Sequence, residues 1–326
     1  MSQTPAFLDT GRPDVPDMVV PRGVVPFHLP GQPVRGRLVR LGPLADALLR
    51  RHDHHPVVAT LAGEALALVA GLAAALKFRG SFSLQLKGNG PLALLLADCT
   101  EAGALRGYAR VAPERLAALL AADPAPSAAA LLGEGYLALT ADQGPDSERY
   151  QGIVGISGNS LSEMALHYFA TSEQLRCALR VAAAPTPAGW RASALILEKV
   201  PGQGGLDPDL DLATQAESWR TAALLAATVT DAELLDDTLT AERLLYRLFH
   251  AQGVATDRPR ALAYGCRCSR QRLAGILDGF AAADLDHMAT DGVIVMTCEF
   301  CNLDFRFPRA DVRGGAHGGD AECAAP

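Results

Sequence analysis

The chain has 326 residues, of which 49% are hydrophobic and 20% charged, and its formal net charge is −7. This length suits roughly two domains, and the composition excludes a largely disordered chain. The negative charge disfavours nucleic acid as a partner. The richest apolar stretch, residues 65–76, is shorter than the ~20 residues of a membrane span, and the N-terminus lacks the pattern of a secretory signal. We therefore expect a cytoplasmic protein without a membrane anchor.

The first 200 residues predict an α+β body. Residues 1–24 contain four prolines and indicate a loose tail. Residues 44–51 and 57–78 have helical spacing, separated by Pro56. The alternating residues 81–87, the turn at 88–91 and the apolar run 92–97 predict a hairpin, and further strands are predicted at 105–111, 136–140, 151–156, 175–183 and 192–197. Ser160 and Glu163 form a capping box at the start of a helix between two of these strands.

A linker follows the body. The sequence Pro-Gly-Gln-Gly-Gly at 201–205 has no flanking strand and helix of the kind a phosphate-binding loop needs, so it indicates a boundary. Residues 211–228 and 240–250 are predicted to be amphipathic helices. Their predicted apolar face contains Leu224, Leu225, Leu234, Leu235, Leu244, Leu245, Leu248 and Phe249.

These patterns predict five segments along the chain. They are a flexible tail at 1–24, an α+β core domain at 25–200, an amphipathic helical linker at 201–262, a four-cysteine module at 263–308 and a Gly/Ala-rich disordered tail at 309–326.

Two pairs of closely spaced cysteines are the strongest indication of a functional site in the sequence. Cys266 and Cys268 are separated by 29 residues from Cys298 and Cys301. In a reducing compartment such clusters indicate a metal site rather than structural disulfides. Four soft ligands in two close pairs suit a structural zinc ion, which would also stabilise a module too small for a large core. The alternative, four buried apolar cysteines, rarely produces two such pairs.

The same four sulfurs favour a redox sensor. Four thiolates on one divalent ion leave a net charge near −2, which keeps the sulfurs deprotonated and open to oxidants. Oxidation to two disulfides would remove the ligands, release the zinc and withdraw the folding free energy that the metal supplied. The sequence has no G-x-x-x-x-G-K-[ST] motif, so an ATP-driven cycle is not expected.

With these residues in place, the chain resembles the thirty-three-kilodalton chaperonin family, the redox-regulated heat-shock holdases of bacteria. The resemblance covers roughly residues 24–308. It is carried by Cys-Arg-Cys-Ser-Arg at 266–270, Cys-Glu-Phe-Cys-Asn at 298–302 with Phe305 and Phe307, Gln-Gly-Ile-Val at 151–154, Gly-Asn-Ser-Leu-Ser-Glu at 158–163 with Tyr168, Phe169 and the Ser-Glu-Gln of 172–174, Leu-Lys-Phe at 76–78, Gln85, Gly-Asn-Gly-Pro at 88–91, and Leu-Leu-Tyr-Arg-Leu-Phe-His at 244–250.

The resemblance implies a specific activity. The reduced protein binds zinc through the four cysteines and is a weak chaperone. Oxidation forms Cys266–Cys268 and Cys298–Cys301 disulfides, releases zinc and loosens the linker. The protein then dimerises and holds unfolding clients without ATP, and the apolar linker face is the masked client surface. Cys323 and His317 in the C-terminal tail lie outside the family pattern. During oxidation, Cys323 can form a mixed disulfide that competes with the expected pairing.

Other candidate residues have simpler interpretations. Cys99 and Cys177 lie in apolar strand-like sequence and are expected to be small buried side chains. His52, His54 and His55 lack further ligands nearby, and capping of a helix C-terminus is the expected role. Glu163 is explained by its capping box, and nothing supports a reaction for Glu173.

Two other functions stay open. One is a zinc-ribbon nucleic-acid or ribosome-associated module, for which Arg267, Arg270 and Arg272 supply a local basic patch against the acidic balance of the chain. The other is a thiol oxidoreductase that uses Cys298 and Cys301. That reaction needs a lone attacking thiol of low pKa, whereas four cysteines are expected to share one ion here.

Overall fold

A computed structural model describes residues 18–76, 80–142, 150–200 and 211–312. The chain divides into two compact units between Gly265 and Cys266. The described part of the first unit, residues 18–265, is called the body, and that of the second, residues 266–312, the cysteine module. The predicted boundaries at 201–262 and 263–308 stay predictions.

The body alternates strands and helices. Its strands are β1 (Val19–His28), β2 (Val34–Arg40), β3 (Ser81–Gly88), β4 (Leu92–Thr100), β5 (Ala104–Val111), β6 (Gly135–Asp142), β7 (Tyr150–Gly155), β8 (Cys177–Thr186), β9 (Gly189–Lys199), β10 (Ala255–Thr256) and β11 (Arg260–Tyr264). Its helices are α1 (Pro43–Leu49), α2 (Pro56–Ala75), α3 (Pro113–Ala122), α4 (Ala128–Leu132), α5 (Leu161–Thr171), α6 (Leu212–Ala227), α7 (Asp231–Leu235) and α8 (Ala241–Phe249).

One large sheet organises the body. The strand order is β7-β6-β3-β4-β5-β11-β1-β2-β9-β8, and β10 pairs with β1. Neighbouring strands are antiparallel except β11 and β5, which are parallel. The strand β11 comes from beyond the helices α6 to α8, yet it lies between β5 and β1. The predicted α+β class is confirmed.

Most locally signalled elements of the body are confirmed. The hairpin β3–β4, the strands β5 to β9 and the helices α1, α2, α5, α6 and α8 all lie where the sequence predicts them. Ser160 Oγ accepts the Glu163 N–H at the start of α5, as expected of a cap. The Glu163 carboxylate accepts the backbone N–H of Asn159 rather than that of Ser160, a variant of the capping box.

The start of the body corrects the predicted tail. The strand β1 begins at Val19, so residues 19–24 belong to the sheet and not to a loose tail. Prolines misled the prediction, because proline usually breaks a ladder. Here Pro21 lies in the irregularity between Val20 and Val24, where the pairing with β11 shifts register. The predicted tail residues 1–17, the Gly-rich sequence 201–205 and residues 313–326 lie outside the described residues. The prediction of a disordered tail from residue 309 is wrong at its start, because Arg309–Asp311 form a short 3-10 helix and Val312 is buried.

Helix α2 corrects the expectation about apolar runs. Its 20 residues, Pro56–Ala75, are long and apolar enough to cross a bilayer by length and composition. However, 78% of its most apolar window is buried inside the body. It packs against β4, β5, β8 and β9 on one face of the sheet. Its apolar composition is therefore that of a core helix.

The opposite face of the sheet carries the second cluster of buried residues. Helices α6 and α7 contact β8 and β9, and α8 buries four apolar side chains in the same cluster. Buried side chains from both sides fill it, namely Val25, Phe27, Leu29, Val34, Leu38, Ala182, Leu195, Leu197, Ala222, Ala226, Val229, Leu234, Leu244, Leu245, Leu248 and Phe249. The helices of the predicted linker thus cover the β1, β2, β9 and β8 part of this face.

The cysteine module is small. It contains α9 (Arg270–Leu277), α10 (Ala282–Met288), β12 (Val293–Thr297) and β13 (Asp304–Pro308), and β12 pairs with β13 as an antiparallel hairpin. Its buried apolar side chains are Leu277, Leu285, Ile294, Phe305, Phe307 and Val312. A core of this size rarely stabilises a fold without a further constraint.

Candidate metal centre

The four cysteines that the sequence singled out lie at two short connections of the cysteine module. Cys266 and Cys268 precede α9, whose N-cap Ser269 accepts the Arg272 N–H. Cys298 and Cys301 lie in the turn between β12 and β13. The turn is closed by hydrogen bonds from Cys298 N–H to the Leu303 carbonyl and from Asn302 N–H to the Cys298 carbonyl.

The structure brings all four thiols together. Their Sγ atoms all lie within 4.8 Å of one another. The Cys266 Sγ is 3.4 Å from that of Cys268 and 3.7 Å from that of Cys298, and the Cys268 and Cys301 Sγ atoms are 3.5 Å apart. These separations are far longer than the ~2.05 Å of a disulfide bond. All four are free thiols.

The donor set fits a four-coordinate metal ion. Four sulfurs at ~2.3 Å from a central ion in a tetrahedron lie about 3.8 Å apart, close to the separations found here. Cys266 and Cys301 are buried and Cys268 and Cys298 are half-buried, so the centre is largely shielded from water. Thiolates select soft metals, and four of them leave no open coordination position. The cluster can therefore hold a metal ion.

The electrostatics of the cluster favour a cation. The hydrogen bond with Cys268 lowers the pKa of Cys266 to about 7, and the hydrogen bond with Cys266 lowers the pKa of Cys298. Hydrogen bonds with Cys266 raise the pKa of both Cys268 and Cys301. Four sulfurs this close share protons and titrate as one unit, because thiolates at these distances repel one another. A divalent cation among them relieves that repulsion.

The surroundings hold the two connections in place. The Arg270 guanidinium lies 4.5 Å from the centroid of the Phe307 ring and donates to the Arg306 carbonyl at 2.8 Å. Cys268 and Cys298 pack against the small apolar core of the module. One arginine of the predicted basic patch is therefore engaged in the fold of the module, which reduces the surface it offers to a nucleic acid.

The predicted client-binding residues fall into three groups by exposure. Leu234, Leu244, Leu245, Leu248 and Phe249 are buried against the sheet of the body. Leu225 and Leu235 are half-buried and pack against the same cluster, whereas Leu224 is 62% exposed. The predicted apolar face is therefore mostly an inward face in this structure.

The sheet side of that contact consists of residues that were not among the predicted client-binding residues. Val25 and Phe27 of β1 and Leu38 of β2 are each about 1% exposed beneath the helices. The alternation of Val25, Phe27 and Leu29 with other residues is a strand signal that was available. Pro26 and Pro30 weaken this signal, because proline is disfavoured within strands.

The other candidate residues have structural roles. Cys99 is 1% exposed in the core, as expected, and Cys177 is half-buried. His52 lies in the last turn of the short 3-10 helix Arg50–His52, as expected, whereas His55 departs from the expected role, because its side chain accepts the Val57 N–H at the N-terminus of α2. His52 and His54 stack with ring centroids 5.4 Å apart.

Glu173 is a hydrogen-bond acceptor in the fold of the body. Its carboxylate accepts the hydroxyls of Tyr150 at 2.9 Å and Tyr168 at 2.7 Å. This pairing explains the residue without a reaction.

Comparisons with known proteins agree with the geometry. The family model described as Hsp33 protein matches residues 23–308. A 33 kDa chaperonin of Caulobacter vibrioides is 39% identical over 285 residues, which is 86% of this chain and 92% of that protein. A 33 kDa chaperonin of Ectopseudomonas mendocina is 37% identical over 86% of this chain and 90% of its own length.

A solved structure shares the fold. The crystal structure of a 33 kDa chaperonin from Thermotoga maritima superposes with a TM-score of 0.71 and covers 89% of this chain and 96% of that one. The sequence identity is 20%, so the likeness speaks for the fold alone.

Proposed function

Because the chain belongs to the Hsp33 protein family, we propose that it is a redox-regulated, ATP-independent holdase chaperone of the bacterial cytoplasm. In the reduced state Cys266, Cys268, Cys298 and Cys301 hold one zinc ion and the chaperone is inactive. Oxidative stress activates it, and the active protein binds unfolding clients and forms a homodimer. We propose no enzymatic reaction, no membrane partner and no nucleic-acid partner.

The cysteine cluster is the observation that carries this proposal. Four thiols within 4.8 Å of one another suit one zinc ion, which supplies a crosslink that ties both connections of the cysteine module together. The small apolar core of the module makes it dependent on that crosslink. Loss of the thiolates therefore withdraws most of the folding free energy of the module.

The oxidation step balances with peroxide as the oxidant. Each disulfide forms when two thiolates give up two electrons to one hydrogen peroxide molecule, which takes up two protons from solvent and leaves as two water molecules. The pairs that we propose are Cys266–Cys268 and Cys298–Cys301. The Sγ atoms of Cys266 and Cys268 already lie 3.4 Å apart. Two peroxides therefore convert four sulfurs, and the metal loses every ligand.

The linker helices supply the masked surface. The apolar side chains of α7 and α8 are buried against β1, β2 and β9, and they become available only when the helices leave the sheet. We propose that unfolding of the cysteine module is followed by release of the linker helices from the sheet, and that Leu234, Leu244, Leu245, Leu248 and Phe249 with their sheet partners then bind clients. Leu224, Leu225 and Leu235 extend this surface.

The test is a peroxide titration of zinc-loaded protein under mild heat. We expect one zinc released for every four thiols consumed, together with suppression of light scattering by an unfolding client protein. The reduced protein in the same assay is the control. Retention of zinc after the thiols are consumed, or equal suppression by both forms, would contradict the proposal.

A further inference from the structure

One stretch of the linker is strongly acidic. Residues 231–242, called the acidic segment, contain Asp231, Glu233, Asp236, Asp237 and Glu242 and no lysine, arginine or histidine. The same segment contributes Leu234 to the buried cluster under the helices, with 1% of that side chain exposed. The segment therefore combines an apolar side chain buried against the sheet with five carboxylates.

Arginines from the sheet contact this segment through its carboxylates. Arg180 of β8 pairs with Asp231 at 2.8 Å, and Arg191 of β9 pairs with Asp237 at 2.6 Å. Arg22 of β1 pairs with Glu242 at the other end of the segment. The ion pairs thus reach the segment from three different strands of one sheet face.

A fourth arginine contacts the main chain of the segment. Arg40 of β2 donates to the carbonyls of Glu233 at 2.8 Å and Asp236 at 3.1 Å, and also to that of Leu239. The Glu233 carbonyl belongs to the last turn of α7, where a cation is favourable. Burial lowers the pKa of Arg40, and the nearby Asp236, Asp237 and Glu242 oppose that effect.

In the contacts described above, these four arginines bind groups of the acidic segment and no carboxylate of the sheet. The neighbouring Arg35 and Arg37 of β2 already pair with Glu198 at 2.9 Å and 2.6 Å. Departure of the acidic segment therefore leaves Arg22, Arg40, Arg180 and Arg191 without their linker partners. They would border the apolar surface formed by Val25, Phe27, Leu38, Leu195 and Leu197.

We propose that this sheet surface prefers client segments that resemble the acidic segment, namely apolar stretches that carry several carboxylates within about a dozen residues. The inference rests on the proposed function, because the linker must leave before a client enters. Apolar contact supplies most of the affinity, while the arginines orient the segment and reject basic ones by like-charge repulsion. Arginine suits this role because its planar guanidinium binds carboxylates with two hydrogen bonds.

Peptide binding to the full-length protein tests the preference. The probe is a fluorescent peptide with the sequence of residues 229–250, and the matched peptide carries Asn or Gln at the five acidic positions of 231–242. We expect oxidised protein to bind the acidic peptide about tenfold tighter than the amide peptide at low salt, with the gap closing at high salt. Reduced protein should bind neither, because its own segment occupies the surface at high effective concentration.

Two protein variants locate the effect. In the R22Q/R180Q double variant the changed side chains are 57% and 48% exposed, so the sheet keeps its core. We expect this variant to lose the gap between the peptides and to keep its affinity for the amide peptide. The control R50Q changes an arginine that is 73% exposed and pairs with Asp46 instead of the linker, and it should keep the gap.

The outcomes separate this inference from the proposed function. Oxidised protein that suppresses client aggregation but binds both peptides equally, or prefers the amide peptide, would overturn the inference alone. A gap that persists in R22Q/R180Q would also overturn it. Oxidised protein that neither suppresses aggregation nor binds either peptide would overturn both.

Discussion

Phe27 of β1 and Phe249 of α8 stack with ring centroids 5.6 Å apart, and each side chain is no more than 1% exposed. The two residues are 222 positions apart in the sequence, yet they form the centre of the contact between the linker helices and the sheet. The contact buries on both sides the surface that we propose for clients. Under the proposed function, we expect the strength of this contact to set how easily the protein is activated.

The stack should restrain activation. F249A removes a buried aromatic ring and should destabilise the docking of α8 by about 3 to 5 kcal/mol. We expect the reduced, zinc-loaded variant to suppress client aggregation partly without oxidant, and residues 241–249 to exchange amide hydrogens faster. L224A is the control, since that side chain is 62% exposed and should change neither result. Unchanged exchange and activity in F249A would show that the stack does not restrain the linker.

Arg40 should restrain the same segment through the main chain. R40Q loses the hydrogen bonds to the Glu233 and Asp236 carbonyls, and these carbonyls then lack their guanidinium donor. We expect a loss of about 1 to 3 kcal/mol in local stability, read as faster hydrogen exchange across residues 231–239 in the reduced protein. R50Q serves as the matched surface control. Protection equal to that of the wild type would mean that water replaces the guanidinium at little cost.

Each cysteine of the cluster should be needed for metal binding. C301A removes a buried ligand, so the three remaining sulfurs leave an open coordination position and the module loses its crosslink. We expect less than about a tenth of the wild-type zinc to remain after dialysis against a mild chelator. C177A lies outside the cluster and should retain one zinc per chain. Full zinc content in C301A would exclude a four-cysteine site.

Oxidation should be confined to the cluster among the described cysteines. Burial raises the pKa of Cys177 to about 12, so almost none of it is thiolate at neutral pH, and Cys99 is 1% exposed. We expect mass spectrometry after brief peroxide treatment to find Cys266, Cys268, Cys298 and Cys301 oxidised and Cys99 and Cys177 reduced. The C323S variant removes the tail thiol and should give the same pattern. Early oxidation of Cys177 would contradict this selectivity.

The stability of the body should depend on pH through Glu64 of α2. Burial raises its pKa from 4.5 to about 7, with Asp231 adding to the shift and Arg180 opposing it. The folded state therefore binds a proton that the unfolded state releases, and stability falls as pH rises from about 4.5 to 7. A shift of this size corresponds to roughly 3 to 3.5 kcal/mol.

Glu64 can be tested by urea unfolding of reduced, zinc-loaded protein at several pH values. E64Q should show a flatter pH profile between 5 and 7 and a higher urea midpoint than the wild type at pH 8. The exposed residue Glu114 offers a control, and E114Q should keep the wild-type profile. An unchanged slope in E64Q would assign the pH dependence to other groups.

Local signals predicted a large part of the fold. The alternation in β3 and β4 with a glycine-rich turn, the Ser160 cap of α5 and the apolar spacing of α8 act over a few residues, and the structure has all of these elements. The four clustered cysteines also predicted a metal site, because two close pairs of soft ligands have few other uses. These features depend on neighbouring residues only.

Only the tertiary structure determines which residues that are far apart in the sequence come into contact. It inserts β11 between β5 and β1, and it joins Arg22 to Glu242 and Phe27 to Phe249, each pair more than 200 residues apart. It also placed the 20-residue, largely apolar helix α2 in the core. The sequence by itself determined which side chains are apolar, charged or able to bind a metal. Which of them meet depends on sheet order and register, because each pairing is selected by the burial of the whole face and not by its own local pattern.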